Sequence, residues 1–177
     1  IIMIVKFKKL TPDAVTPTYG HGDSSIDVGI DITTTSVEYD EDQDLYIYHT
    51  GLAFEPVEPR VSNFLFLRSS NCKKDCYLTN HVGIADPSYR GEIQFRMKLR
   101  DSLENMTLVE MTKMGWTWDF TLSEMKRRAR QLEFAPYKSG DKIGQMVFLT
   151  YPDVELIEME ELSDSIRSTK GFGSTGK

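Results

Sequence analysis

The chain has 177 residues, enough for one domain with a sizeable core. Its hydrophobic share of 40% and charged share of 27% are those of an ordinary soluble globule. A net charge of −6 sets duplex nucleic acid aside as a main partner, and the absence of any 18-residue apolar run sets a membrane span aside.

Short segments rich in β-branched and aromatic residues predict strands over 1–7, 28–34, 45–50, 63–67, 92–99, 142–150 and 154–159. The first is too short, and lacks the flanks, for a secretion leader. Over 92–99 the pattern alternates: Ile93, Phe95, Met97 and Leu99 share one face, and Glu92, Gln94, Arg96 and Lys98 the other. Turn-forming residues separate the segments at 20–23, 40–44, 56–59 and 139–141. Many short strands at this spacing predict a mainly β fold, an antiparallel sandwich or barrel. Cys72 and Cys76 are the two cysteines and read as free thiols, which places the chain in a reducing compartment. The expected location is the cytoplasm, of a cell or of a virus-infected host.

Residues 100–138 break the β pattern. Thr121 and Glu124 form a capping box, and Leu122, Met125, Ala129 and Leu132 recur at helical spacing, so a helix is predicted over about 122–132. The preceding stretch carries Met106, Met111, Met114, Trp116 and Trp118. These residues suit a satellite core, and equally a docking surface for a protein partner.

Five patches carry residues suited to chemistry. Asp31 lies inside an otherwise apolar strand, where a buried carboxylate needs a partner or a polar site. Arg68, Ser69 and Ser70 end a second strand, in a pattern open both to phosphate binding and to a surface turn. Gly83 and Gly91 bracket a loop holding Asp86 and Tyr89. As a hairpin, that loop would show backbone donors and acceptors to a pyrimidine edge, with Asp86 as general base and Tyr89 against a sugar. A plain tight turn is the other reading. Gln145 is the polar exception in the strand over 142–150. Last, Arg167 and the stretch Gly171-Phe172-Gly173-Ser174-Thr175-Gly176-Lys177 form a tail too polar to pack. Its guanidinium suits phosphate, its glycines allow close backbone approach, and Phe172 offers a stacking face. The spacing from Gly171 to Lys177 imitates a phosphate loop, but neither a hydroxyl residue nor a helix follows, so a P-loop nucleotidase is excluded.

In series, these patches resemble the five motifs of the homotrimeric dUTP pyrophosphatase (dUTPase) family. They run Val28-Gly29-Ile30-Asp31-Ile32, Leu67-Arg68-Ser69-Ser70, Gly83-Ile84-Ala85-Asp86-Pro87-Ser88-Tyr89-Arg90-Gly91, Gly140-Asp141-Lys142-Ile143-Gly144-Gln145, and the tail. The resemblance covers about residues 3–177 apart from the insertion, with departures at Leu67, Ala85, Gly144 and Ser168.

The resemblance implies a jelly-roll-like β domain over about residues 1–160 and a tail over 161–177 that closes the site. It implies a threefold homotrimer whose sites draw on three subunits, and hydrolysis of dUTP to dUMP and pyrophosphate. Catalysis would fall to Asp86, which activates a water. Uracil would be read by Gly83, Ile84 and Ala85 with Asn80, while Tyr89 packs on the deoxyribose. Arg68, Ser69, Ser70 and Gln145 would hold phosphates. Arg167, Gly171, Phe172, Gly173, Ser174 and Thr175 would close the lid, Phe172 stacking on the base. Mg²⁺ would ride on the triphosphate, with Asp31 orienting its waters.

Two rivals remain open. dCTP deaminase shares this fold, but the position where it relies on glutamate is Arg96 here. A nucleotide-dependent regulatory protein, binding a partner through the insertion, is the other.

Overall fold

Short segments rich in β-branched and aromatic residues give most of the eleven strands in the computed structural model, which describes residues 2–99 and 135–165. They are β1 (Val5–Lys9), β2 (Thr18–Tyr19), β3 (Ile30–Thr33), β4 (Ser36–Asp40), β5 (Leu45–His49), β6 (Leu52–Pro56), β7 (Val61–Leu67), β8 (Cys76–Leu78), β9 (Gly83–Ala85), β10 (Gln94–Leu99) and β11 (Lys142–Thr150). The one helical element among the described residues is a 3₁₀ turn, Ser69–Lys73, and no helix there is long and apolar enough to cross a membrane.

All strand pairs are antiparallel and form three sheets. One has four strands in the order β4-β5-β10-β8, one has five in the order β2-β3-β11-β7-β9, and β1 pairs with β6 alone. The two larger sheets share a core of Ile32, Tyr46, Tyr48, Leu65, Leu78, Phe95, Met97, Ile143 and Met146. Gly144 of β11 is the point of closest approach: a Cβ there would collide with the Phe95 ring on β10. The motif departure at Gly144 thus makes room for a large residue at 95.

Three expectations need correction. The sheets are open at their edges, so the described chain is a sandwich and not a closed barrel. The predicted strand over 154–159 does not form. Residues 151–165 have no regular element, and among the described residues that apolar segment has no partner strand. The predicted first strand begins four residues late, at Val5, where the register with β6 starts. The expected helix over 122–132 lies outside the described residues. Strands β2, β4, β6 and β8 went unpredicted: β2 and β8 are only two and three residues long, β4 mixes acidic and apolar residues, and β6 ends on a proline. The two cysteines are free, Cys72 exposed and Cys76 buried.

Candidate active site

The residues singled out by sequence fall into two groups on the described chain. The first surrounds Asp31, which is only 7% exposed. Asp31 and Gln145 are direct cross-strand partners and share a face of the sheet. Arg68 follows the end of β7, beside them in strand order. Its Nε lies 3.0 Å from Asp31 Oδ1. Lys142 Nζ lies 2.9 Å from the other carboxylate oxygen.

A β-bulge makes the second contact possible. The register pairs Lys142 with Thr33 and Gly144 with Ile32, leaving Ile143 as an extra residue. Ile143 turns fully into the core, and Lys142 takes the face that carries Asp31. Arg68 binds Asp31 through Nε, so the fork of its two terminal nitrogens is left for another anion. Gly29 completes this group, since a Cβ there would run into the Gln145 side chain. The loop over 20–28 closes over it, held by Asp27, which accepts from the His21 amide at 2.6 Å and pairs with the His21 ring at 2.9 Å. The first of these bonds, with the ring bond after it, holds the Asp27 carboxyl below its ordinary range.

The second group lines a cavity of about 350 Å³. Asn80, Gly83, Ile84, Ala85 and Tyr89 all lie on its wall, joined by Leu65, Leu78, Thr79, Glu92, Ile93, Gln94 and Arg96. The hairpin expected over 80–92 takes a different form. Its first arm, β9, pairs with β7, and its second, β10, pairs with β5 and β8. The arms belong to different sheets and do not satisfy one another, which leaves a cleft between them. β9 is a sheet edge, so one side of its backbone lacks a strand partner. Ser62 Oγ donates to Ala85 O at 2.8 Å and fixes the end of that edge.

Asp86 is the next residue, exposed, and is not itself on the cavity wall. Its carbonyl accepts the Tyr89 amide at 2.9 Å, which closes the turn. The Tyr89 ring folds back over Gly91, where a Cβ would collide with it, and its hydroxyl donates to Glu92 O at 3.0 Å. Glu92 anchors the second arm. It accepts from His49 Nδ1 at 2.8 Å, Gly51 N at 2.8 Å and Thr50 N at 3.0 Å. Burial pushes the Glu92 carboxyl up, but His49, the Gly51 amide and Gln94 outweigh it and the net shift is downward. Burial pushes the His49 imidazole down, but Glu92, with Glu38, outweighs it and the net shift is upward.

Ser69 and Ser70 open the exposed turn after Arg68. Asp31, Arg68, Ser69, Ser70 and Gln145 are not on the wall of that cavity and form a group of their own. Arg167, Gly171, Phe172, Gly173, Ser174 and Thr175 lie outside the described residues. Sequence reasoning quoted Lys142 without a role, because the bulge that aims it leaves no sequence signal. Glu92, Gln94 and Arg96 were legible as one strand face but not as a cavity wall.

No family model matches the chain. A deoxyuridine 5'-triphosphate nucleotidohydrolase of Solibacter usitatus is 30% identical over 176 residues, 99% of this chain and 97% of the relative. The chain belongs to the dUTPase family. Its fold agrees. The dUTPase of Staphylococcus bacteriophage 80alpha, solved with dUpNHpp, has a TM-score of 0.66 at 22% identity and covers 98% of this chain and 99% of that one. A point mutant of the dUTPase from phage phi11 of S. aureus, solved with attention to a structural Mg(II) ion, has a TM-score of 0.60 at 19% identity, covering 89% and 97%.

The residues around Asp31 do not fit a magnesium cage. Both carboxylate oxygens already face cations, and among the described residues no group of three His, Cys, Asp or Glu could hold a metal. Asp31 is held between Arg68 and Lys142.

Proposed function

We propose that this dUTPase-family chain hydrolyses dUTP to dUMP and pyrophosphate. The observation that carries the reading is the edge strand β9, whose backbone lines a cavity of about 350 Å³ and ends one residue before Asp86. An edge strand offers N–H and C=O groups in the alternation that a uracil edge complements. Asn80 adds an amide on the same wall, and Tyr89 closes the sugar side, where a 2′-hydroxyl would meet its ring.

Asp86 orients a water and takes its proton as the water oxygen bonds to the α-phosphorus. The bond from that phosphorus to the bridging oxygen breaks, and pyrophosphate leaves with the electron pair. The Arg68 fork, Ser69, Ser70 and Gln145 hold the phosphates by charge and hydrogen bonds. Arg167, Ser174 and Thr175 clamp the distal phosphates, with Gly171 and Gly173 giving close approach. Phe172 stacks on the base as the tail over 161–177 closes. Magnesium, held mainly by the triphosphate itself, would neutralise part of its charge.

On this reading the two groups are half-sites that neighbouring copies complete, so we propose a homotrimer with shared sites. The segment after β11 supports this. Val154, Leu156, Ile157, Met159 and Leu162 are largely exposed, Leu156 at 91%, and a second copy of this chain would cover them. A protein partner at the insertion remains compatible with this reading, and a cytoplasmic location suits a nucleotide-pool enzyme.

The test is incubation with dUTP, dCTP, dTTP and UTP in Mg²⁺, reading pyrophosphate and ammonia. Pyrophosphate from dUTP alone is the expected result. Ammonia from dCTP would make the chain a deaminase. The structure gives that rival no support: Arg96 lines the cavity where a glutamate is needed, and Glu92 is already bonded to His49 and two amides.

A further inference from the structure

We infer that Tyr137 is a positioning residue for the phosphate-binding turn, acting through Asn71. The inference rests on the dUTP reading above, in which Arg68, Ser69 and Ser70 hold phosphate.

The turn has little of its own to hold it. It spans five residues, none buried, and no side chain caps its start. Short 3₁₀ turns have poor internal hydrogen-bond geometry. Its backbone bonds run from Asn71 N to Arg68 O and from Lys74 N to Asn71 O, each 2.9 Å. Asn71 therefore sits at the centre of both, and wherever its side chain is fixed the turn is fixed.

That side chain is held from two directions. Asn71 Nδ2 donates to Cys76 O at 3.1 Å, and Cys76 Sγ lies 3.4 Å from Asn71 Oδ1. The same Oδ1 accepts the Tyr137 hydroxyl at 2.9 Å. Tyr137 is a firm anchor. It is 3% exposed, its ring meets Tyr48 edge-on at 5.9 Å, and its amide donates to the Tyr48 hydroxyl at 3.3 Å. Lys74 Nζ sits 5.0 Å from the ring centre and donates to Pro136 O at 2.7 Å, which ties the far end of the turn to the same anchor. Burial, then the neighbouring Cys76 and Asp141, push the phenol up to about 12, so the hydroxyl stays a donor at working pH.

A buried phenol thus reaches from the segment before β11 to the middle of the turn that presents Ser69 and Ser70.

The experiment compares the parent, Tyr137→Phe, Asn71→Ala and the double variant, each assayed well below its melting temperature. Readouts are kcat and KM for dUTP, and binding of dUpNHpp and of deoxyuridine by calorimetry. Phenylalanine keeps the ring packing, so this variant folds. Loss of one neutral hydrogen bond is expected to raise KM and the dUpNHpp Kd about fivefold in Tyr137→Phe. Deoxyuridine binding should stay at the parental value and kcat within about twofold. The double variant should be no worse than Asn71→Ala, because the two side chains act through one bond. The inference is overturned if Tyr137→Phe lowers the melting temperature yet binds dUpNHpp like the parent, or if the two losses multiply. A parent that does not release pyrophosphate from dUTP defeats the underlying reading instead.

Discussion

At the cavity between β9 and β10, the groups that face a ligand are main-chain atoms of an edge strand and partly exposed side chains. Around Asp31 the recognition elements are charges: a buried carboxylate with a guanidinium and an ammonium, one on each oxygen. On the proposed reading the difference follows from what each half would hold. A neutral pyrimidine edge is read by donors and acceptors at fixed spacing, which a strand supplies without charge. A triphosphate needs cations that are already aimed, and a cation next to a sheet stays aimed only with a counter-ion. Asp31 is that counter-ion. Arg68 through Nε and Lys142 through Nζ keep it paired on both oxygens, since an unpaired buried carboxylate would be costly.

The widest separation of the halves comes from Asp86→Asn. Turnover should fall about 10²- to 10⁴-fold while dUpNHpp still binds, because a neutral amide cannot take the water's proton. Turnover at the parental rate would remove Asp86 from catalysis. Mixing Asp86→Asn with Arg68→Ala subunits sharpens the point. Each variant is inactive alone, yet a one-to-one mixture should recover about a quarter of parental activity if the half-sites meet across a subunit boundary. No recovery after subunit exchange would place both halves in one chain.

Asp31→Ala should lower kcat/KM for dUTP about 10- to 100-fold by releasing Arg68, with little change in deoxyuridine binding. Equal losses for both ligands would mean that Asp31 serves the fold as a whole. A smaller effect tests the packing beneath the halves. Gly144→Ala should cost about 2 kcal/mol by overpacking against Phe95, and Phe95→Leu in the same chain should restore part of it, read by urea unfolding. The smallest effect is in pH. His49, with its raised pKa, contributes stability fully below its ordinary 6.5 and loses it as pH rises through the raised value. Glu92, with its lowered pKa, contributes above its ordinary 4.5 and loses it as pH falls through the lowered value. The pair is therefore strongest between about pH 4.5 and 6.5. Thermal melts of His49→Gln across pH 5 to 8 should show less dependence on pH than the parent.

Much of this was legible beforehand. Apolar runs rich in β-branched and aromatic residues located β5, β7 and β11, and alternation located β10, whose buried face has a period of two. The order of the motif patches led to the family, and Asp31 was flagged by the cost of burying a charge. The partner strands were not legible, since pairing is a property of two distant segments. The same limit explains the predicted strand over 154–159: its apolar residues are real, but no strand among the described residues receives them.

What residues alone determined is chemistry: which side chains donate, accept, stack or carry charge, and in which order. What the folded sheets alone decided is aim. A single extra residue, Ile143, turns Lys142 toward Asp31, and two arms assigned to different sheets open a cavity instead of closing a hairpin. Both depend on register between segments far apart in sequence, and register is settled by how side chains from two sheets fill one core.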